Sequence, residues 1–328
     1  MLSFQEIVDK IDQLEEANIL VAALQFRIYT QLGKGSMSAA TLARRTKTDP
    51  DATARLLNAL AAMGALKKKG NAFANTSETY KHFSEDSPHY KRGTVMLRED
   101  NRREWNGLIE LTKKGRKQKD FEGGDDPLFR REFTHAMHER SRLYAPDLVE
   151  FVTRKPVGRL LDLGGGPGSY TAALLKKDKA ASAVLVDRKA TLKQAKLILQ
   201  SLKVLKRIEL LEGDLFEIDF KQCFDSVLFA NILHIFSPAE NKKLLRKIHE
   251  SLKPGGRLLI VDLFLKDNQI EPLEAALFSL TMLMATATGK SYSFTETETL
   301  LRSIGFGAFK RANLGRGCSV IEAVKKAG

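Results

Sequence analysis

Cysteine is nearly absent: the 328 residues contain two, Cys223 and Cys318. Two cannot build a disulfide framework or a Cys-x-x-Cys zinc site, and such sparse use suits a reducing compartment. Long apolar runs are missing as well; none reaches the roughly 18 residues needed to cross a bilayer, so no membrane partner is expected. The opening MLSFQEIVDKIDQLEEAN is amphipathic and carries acids early, unlike a signal peptide, and the expected address is the cytoplasm. Internal repeats and low-complexity tracts are also lacking. Acidic residues are outnumbered, 40 against 53 Lys+Arg, for a net charge of +13. That surplus is not gathered: it is +1 over residues 1–90, +4 over 91–157 and +8 over 158–328. A nucleic-acid footprint is a concentrated patch, so a solvated basic surface and no specific nucleic-acid partner are expected.

What is present is the balance of a globular chain, 43% hydrophobic and 28% charged, long enough for about two domains. Residues 1–85 read as helices followed by a small hairpin. ANILVAALQFRIYTQL places Ile19, Ala22, Ala23, Phe26 and Tyr29 on one helical face. A short helix follows Ser38, and another starts from Asp49 and Pro50, repeats Leu56, Leu60 and Met63, and stops at Gly64. LKKKGNAFANT reads as two strands turning at Lys69-Gly70-Asn71. Three helices and a wing make a winged helix, a fold that often binds DNA through its recognition helix. Here that helix, 51–63, carries one basic residue, Arg55, and is built to pack against protein.

Residues 86–157 read as a polar helical connector, with a charged loop at 113–127 and with Trp105, Phe129, Phe133, Met137 and Tyr144 as core. From 158 to 328, the strand-like RLLDL, SAVLVD, RIELLEGD, DSVLFAN and RLLIVDLFL alternate with helical patterns near 168–178, 189–203 and 239–252. That alternation predicts an α/β domain, a parallel sheet with helices on both faces, completed by GAFKRAN and CSVIEAV.

The sharpest local signal is LLDLGGGPGSY, residues 160–170: a strand, glycines at 164, 165, 166 and 168, then a helix. The dinucleotide fingerprint is G-x-G-x-x-G with pyrophosphate on the helix N-terminus. This chain has G-x-G-x-G, with Asp162 two residues before Gly164, where a carboxylate repels pyrophosphate and attracts an ammonium if it faces the ligand. Asp187 closes the next strand, placed to accept both ribose hydroxyls. Asp214 closes the third, suited to an adenine amino group, with Leu215 and Phe216 as an apolar wall. Each aspartate alone reads equally well as a cap or a loop residue. Three at successive strand ends describe a ligand with an amine, a ribose and an adenine but no phosphate: S-adenosylmethionine.

LLDLGGGPG, Asp187, GDLF, FANILHIF and LKPGGRLLIVD together resemble a class I S-adenosylmethionine-dependent methyltransferase. Over nearly its whole length the chain is similar to small-molecule O-methyltransferases of the caffeic acid and acetylserotonin type. The softer matches are ILVAALQFRIYTQL, SAATLARRTKTDPDATARLLNALAAMGAL and GKSYSFTETETLLRSIGF. The resemblance implies a mostly α, winged-helix-like dimerisation domain at 1–85, hence a homodimer, and a Rossmann-like catalytic domain at 158–328. It implies a cofactor set of Asp162, Gly164, Gly166, Asp187, Asp214, Leu215, Phe216 and Asn231. It also implies a pocket for a small-molecule acceptor under the connector and the 275–290 helix, with candidate walls Trp105, Phe133, Met137, Phe278, Met282 and Leu283.

Methyl transfer to a hydroxyl requires placing the nucleophile in line and removing its proton, work that suits histidine. His234 follows the fourth strand, at the crevice side of an α/β sheet. In the resembled family a histidine here, followed by Asp-Trp, is the general base; this chain has Ile235-Phe236 instead. The family flanks that base with acids, for which Asp262 and Glu296 are the matches. His135 and His138 are expected to be structural or to line the substrate wall, and His82, His89 and His249 to lie on the surface. No metal-ligand spacing stands out, so metal-dependent methylation is disfavoured. Carbon or nitrogen methylation on the same fold stays open, as does a winged-helix DNA-binding regulator. A member that binds the cofactor without transferring a methyl group is a further alternative.

Overall fold

The computed structural model describes every residue except 92, 96, 98–104, 116–125, 221–222 and 327–328, so most of the loop expected at 113–127 lies outside the described residues. It divides into two compact units, residues 1–103 and 104–328. The stretch expected as a connector, 86–157, is therefore split between them.

In the first unit α1 (Phe4–Gln25) starts from a capping box in which Ser3 and Glu6 satisfy each other's backbone N–H groups. The helix expected to run through 17–32 breaks after Gln25: Arg27 adopts a left-handed φ of 52°, and α2 (Ile28–Leu32) follows. Phe26, expected on the inner face, is consequently exposed, whereas Ala23 and Tyr29 are buried. A strand without a local pattern, β1 (Ser36–Ser38), leads into α3 (Ala39–Thr46), which Ser38 caps. Asp49 caps α4 (Pro50–Ala62), where Arg55 is paired with Asp51 at 2.8 Å. The hairpin β2 (Leu66–Lys69) and β3 (Ala72–Asn75) takes β1 on its far side, and α5 (Ser77–Phe83) follows. Leu42, Leu57, Leu60, Leu66 and Phe73 fill the core. Phe4, Ile7, Ile11 and Leu14 of α1 remain exposed.

The second unit opens with α6 (Leu108–Lys114), α7 (Pro127–Ser141) and α8 (Ala145–Val152). The expected alternation follows: β4 (Arg159–Leu163), α9 (Ser169–Lys177), β5 (Ser182–Asp187), α10 (Lys189–Ser201), β6 (Ile208–Glu212), β7 (Phe224–Ala230), α11 (Pro238–Ser251) and β8 (Leu252–Asp262). The chain closes with α12 (Leu273–Ala285), α13 (Phe294–Arg302), β9 (Phe306–Gly315) and β10 (Cys318–Lys325). The seven strands lie in the order β6-β5-β4-β7-β8-β10-β9, the first five parallel and β10 antiparallel to both neighbours.

The valine- and leucine-rich strands bury both faces, and separate apolar clusters form on the two sides of the sheet. Strand order reverses between β4 and β7, which opens a crevice at their carboxyl ends. Among the described residues, no helix is long and apolar enough to cross a membrane.

Candidate functional site

The turn after β4 is hung on the neighbouring strand: Gly164 and Gly165 both donate to the Val186 carbonyl, at 2.9 and 3.2 Å. Gly166 has a φ of 56° and nothing within 4 Å of where a Cβ would stand, so its backbone is bare on the crevice side. Asp187 Oδ2 accepts from Gly166 N at 2.8 Å and Oδ1 from Arg188 N at 2.7 Å. Burial pushes this carboxyl up; those two N–H groups, the Thr191 hydroxyl and the charge of Arg130 pull it back.

Asp162 lies beneath the turn. It is 2% exposed, accepts the Thr171 hydroxyl at 2.6 Å and presses on Gly165, whose absent Cβ would stand 2.6 Å from its Oδ2. Burial pushes it up to about 7, against the lowering effect of that hydroxyl. This corrects the expectation of an ammonium contact: the carboxylate is turned into the fold and braces the loop.

Asp214 is exposed and accepts from Phe216 N at 2.8 Å. Leu215 and Ile232 come over Gly164, 3.6 and 2.7 Å from where its Cβ would be. Asn231 has a φ of 58°, donates its N–H to Val261 O at 2.8 Å, and bonds Tyr170 through its side chain. Phe216 stands edge-on to Phe236 at 5.1 Å. A bare glycine backbone, a carboxylate at the next strand end and an apolar flank of Leu215 and Ile232 fit a nucleoside with an amino-acid tail. Ile232, absent from the sequence-derived set, is found only once the chain folds back over Gly164.

Across the crevice, His234 sits in a short 3-10 turn after β7, and Asp262 ends β8. Because β7 and β8 are adjacent and parallel, the turn after one and the end of the other come together, and residues 28 apart meet. Nδ1 of His234 is 2.7 Å from Asp262 Oδ1, with the imidazole 9% and the carboxylate 3% exposed. Asp262 also accepts from His234 N at 3.3 Å and Leu263 N at 2.8 Å. A carboxylate only accepts, so in the neutral imidazole Nδ1 carries the proton and Nε2, on the opposite side of the ring, keeps its lone pair.

The turn itself is held from behind. Asn241, fully buried, donates to Leu233 O at 2.8 Å and to Phe236 O at 3.0 Å, bracketing His234, and to the Tyr292 hydroxyl at 3.2 Å. A Cβ on Gly289 would overlap the His234 carbonyl and stand 2.8 Å from that of Ile235, so the irregular segment after α12 lies directly on the turn.

Of the expected pocket walls, Phe278 stands edge-on to His234 with ring centroids 4.8 Å apart. Phe133 instead stacks on Phe129 at 5.7 Å, Trp105 is 36% exposed, Met282 is buried, and Met137 and Leu283 are half-buried. Glu296 does not flank the imidazole. It is the third residue of α13, where it accepts from Ser293 N at 2.8 Å and pairs with Lys290 at 2.5 Å. SFTE at 293–296 is a capping box, so the local sequence itself accounts for that glutamate.

His138 joins the middle helices to the glycine turn through Nδ1 and Ser169 Oγ, 2.7 Å apart. His249 is not on the surface as expected: it is half-buried, edge-on to Phe306 at 5.0 Å. Among the described residues, no three His, Cys, Asp or Glu gather as a metal site.

Residues 113–307 match the model of the O-methyltransferase domain, and residues 9–82 that of the O-methyltransferase dimerisation domain. The chain is 26% identical to 3-hydroxy-5-methyl-1-naphthoate 3-O-methyltransferase of Streptomyces sahachiroi, over 91% of this chain and 88% of the relative. It is 30% identical to L-tyrosine C(3)-methyltransferase of Streptomyces lavendulae, over 56% of this chain and 50% of that protein. Human N-acetylserotonin methyltransferase, solved in complex with SAM, superposes with a TM-score of 0.85 at 23% identity, over 99% of this chain and 98% of that one.

Proposed function

The chain belongs to the S-adenosylmethionine-dependent O-methyltransferase family, and from that premise we propose that His234 is the general base for methylating a hydroxyl on a small aromatic acceptor. The observation that carries this is the buried 2.7 Å contact between His234 and Asp262 at the crevice end of two parallel strands. The hydroxynaphthoate relative supports an aromatic acceptor. In this reading the backbone of Gly164 to Gly166 receives the cofactor's amino-acid tail. Asp187 accepts its ribose hydroxyls, and Asp214, Leu215 and Phe216 bound its adenine, with Asn231 and Ile232 closing the side next to His234. When bound, S-adenosylmethionine supplies a methyl group on a sulfonium, which leaves as a neutral thioether.

The rest of the work belongs to the protein. His234 Nε2 takes the hydroxyl proton, and Asp262 steadies both the tautomer and the imidazolium that results. A phenol ordinarily titrates near 10, so a base held in place is needed at neutral pH. Phe278 limits where the acceptor ring can lie, and Asn241 fixes the turn that aims the imidazole. Residues 1–85 dimerise the chain, using the exposed apolar side of α1.

Incubation with S-adenosylmethionine and a panel of phenols and naphthols tests the reading, with the methylated atom located by NMR. O-methyl products support it. Carbon methylation alone, the chemistry named for the tyrosine relative, refutes the base role. Sedimentation at micromolar concentration tests the dimer, and a monomer there defeats that assignment.

A further inference from the structure

Arg257 and Arg207 show how this fold treats a guanidinium withdrawn from water. Arg257 donates to Val152 O, Pro156 O, Lys155 O, Ser226 Oγ and Glu322 Oε2, at 2.9 to 3.2 Å. Arg207 reaches the carbonyls of Leu175, Asp178, Lys179 and Ala181 at 2.6 to 3.2 Å. Arg140, near the end of α7 and also half-buried, is treated differently. Among the described residues its guanidinium has no carbonyl, hydroxyl or carboxylate partner, and its one recorded contact is the Phe278 ring, 5.5 Å from Cζ to centroid.

A guanidinium keeps five N–H donors at any ordinary pH, and those of half-buried Arg140, with no acceptor among the described residues, stay open to an incoming group. The aromatic face beneath it holds the cation in place without using those donors. The same Phe278 ring packs roughly perpendicular to the His234 ring, with centroids 4.8 Å apart. Arg140 and the base therefore stand on one side chain, no farther apart than those two contacts laid end to end. The nearby carboxylate is occupied, because Asp262 holds His234 and Leu263 N. The charge of Arg140 also reaches the core beside it: it partly offsets the burial that pushes Cys318 up to about 12, and it acts in the same sense on Tyr170.

We propose that Arg140 determines acceptor specificity by receiving a carboxylate on the acceptor's aromatic ring system while a hydroxyl of the same molecule faces His234. The substrate class is then an aromatic hydroxy acid. This rests on the acceptor side being the hydroxyl-methylating site proposed above. A planar guanidinium suits both oxygens of a carboxylate at once, which fixes the ring's orientation as well as its affinity. Binding at that remote substituent holds the hydroxyl in line, and the neutral amide of the same acid lacks the charge to do so.

The test is equilibrium binding to the full-length protein saturated with S-adenosylhomocysteine, so that no transfer step enters. The probes are 3-hydroxybenzoate, 3-hydroxy-2-naphthoate and 6-hydroxy-2-naphthoate, each beside its primary carboxamide. At least one acid should bind about ten- to a hundredfold more tightly than its amide, the range of a charge-assisted pair. Arg140→Gln should abolish that preference while S-adenosylhomocysteine affinity stays at the wild-type value. Arg140→Lys, which keeps the charge without the fork, should lose most of it and serves where the glutamine variant fails to fold.

If Arg140 only packs on Phe278, Arg140→Gln lowers the melting temperature and leaves the preference intact, which overturns the proposal. So does a wild type that favours no acid over its amide, or that binds none of the probes. Failure of the hydroxyl reading looks different: the acid preference persists, and the bound acids yield no O-methyl product with S-adenosylmethionine.

Discussion

Asp162 and Asp262 are equally hidden, 2% exposed each, and both lie at the carboxyl end of a strand in the same sheet. Their surroundings differ in donors. Asp162 receives one hydroxyl, from Thr171, and burial pushes it up to about 7. Three N–H groups converge on Asp262: the imidazole of His234, its backbone and Leu263 N. Depth in the fold therefore does not assign a carboxylate its task; the number and kind of donors around it do. Asp162 is built to hold a loop. Asp262 is built to hold an imidazole, and the base proposed for this site would use that ring's other nitrogen.

The hardest blow to that contrast is His234→Ala. Methyl transfer should fall by about 10²–10⁴, the usual share of a general base, with S-adenosylmethionine affinity unchanged by calorimetry. Near-full activity in this variant would leave Asp262 with no catalytic partner. Asp262→Asn should also lower kcat, but by less than His234→Ala measured under the same conditions, because the base remains and only its tautomer is no longer fixed. Asp162→Asn should by contrast leave kcat within a few-fold, so equal losses from the two substitutions would erase the distinction.

A third aspartate sharpens the cofactor side. Asp187→Ala should weaken S-adenosylhomocysteine binding by about 1.5–3 kcal/mol, the size of a charge-assisted hydrogen bond, and calorimetry reads it directly. Unchanged binding would mean that Asp187 serves only the N–H groups of Gly166 and Arg188.

The last effect is in stability and depends on pH. With a folded value of about 7 against an ordinary 3.8, Asp162 keeps a proton that the unfolded chain releases. Its contribution is full below about pH 4 and is lost as pH rises through 7. Melting curves of the cofactor-free protein between pH 5 and 8 should show Asp162→Asn gaining on wild type as pH rises. A difference that stays constant across the range would mean that Asp162 is ionised throughout.

The sequence made the sheet legible because its strands are buried on both faces and read as unbroken apolar runs: RLLDL and SAVLVD match β4 and β5 end to end. The glycine turn was legible for the same reason that it is useful, since few other residues tolerate its backbone. β1 was not, because SMS is too short to show a period and exists only by pairing with β3. The break at Arg27 has no glycine or proline to announce it. In the candidate site, His234 and Asp262 were readable from their places at strand ends. Arg140 was not, because it meets Phe278 far along the chain; nor was Asn241, because one buried amide in a polar helix stretch does not announce that it folds back on the carbonyls of Leu233 and Phe236. Glu296 went the other way: a long-range role was expected where a local cap was already spelled out in SFTE.

The seat of Gly289 on the carbonyls of His234 and Ile235 bears on how this protein can change its acceptor. The stretch from α12 to α13 carries Phe278 at one end and that glycine near the other, so the ring against His234 and the rest beneath its turn are inherited as one piece of chain. A graft that exchanges α12 must hand the chain back so that Gly289 keeps its register on the turn, or the carbonyls of His234 and Ile235 are pushed aside. Single substitutions in Phe278 carry no such obligation. Drift in specificity is thereby channelled into side chains, while insertions and deletions between 279 and 289 are closed to it.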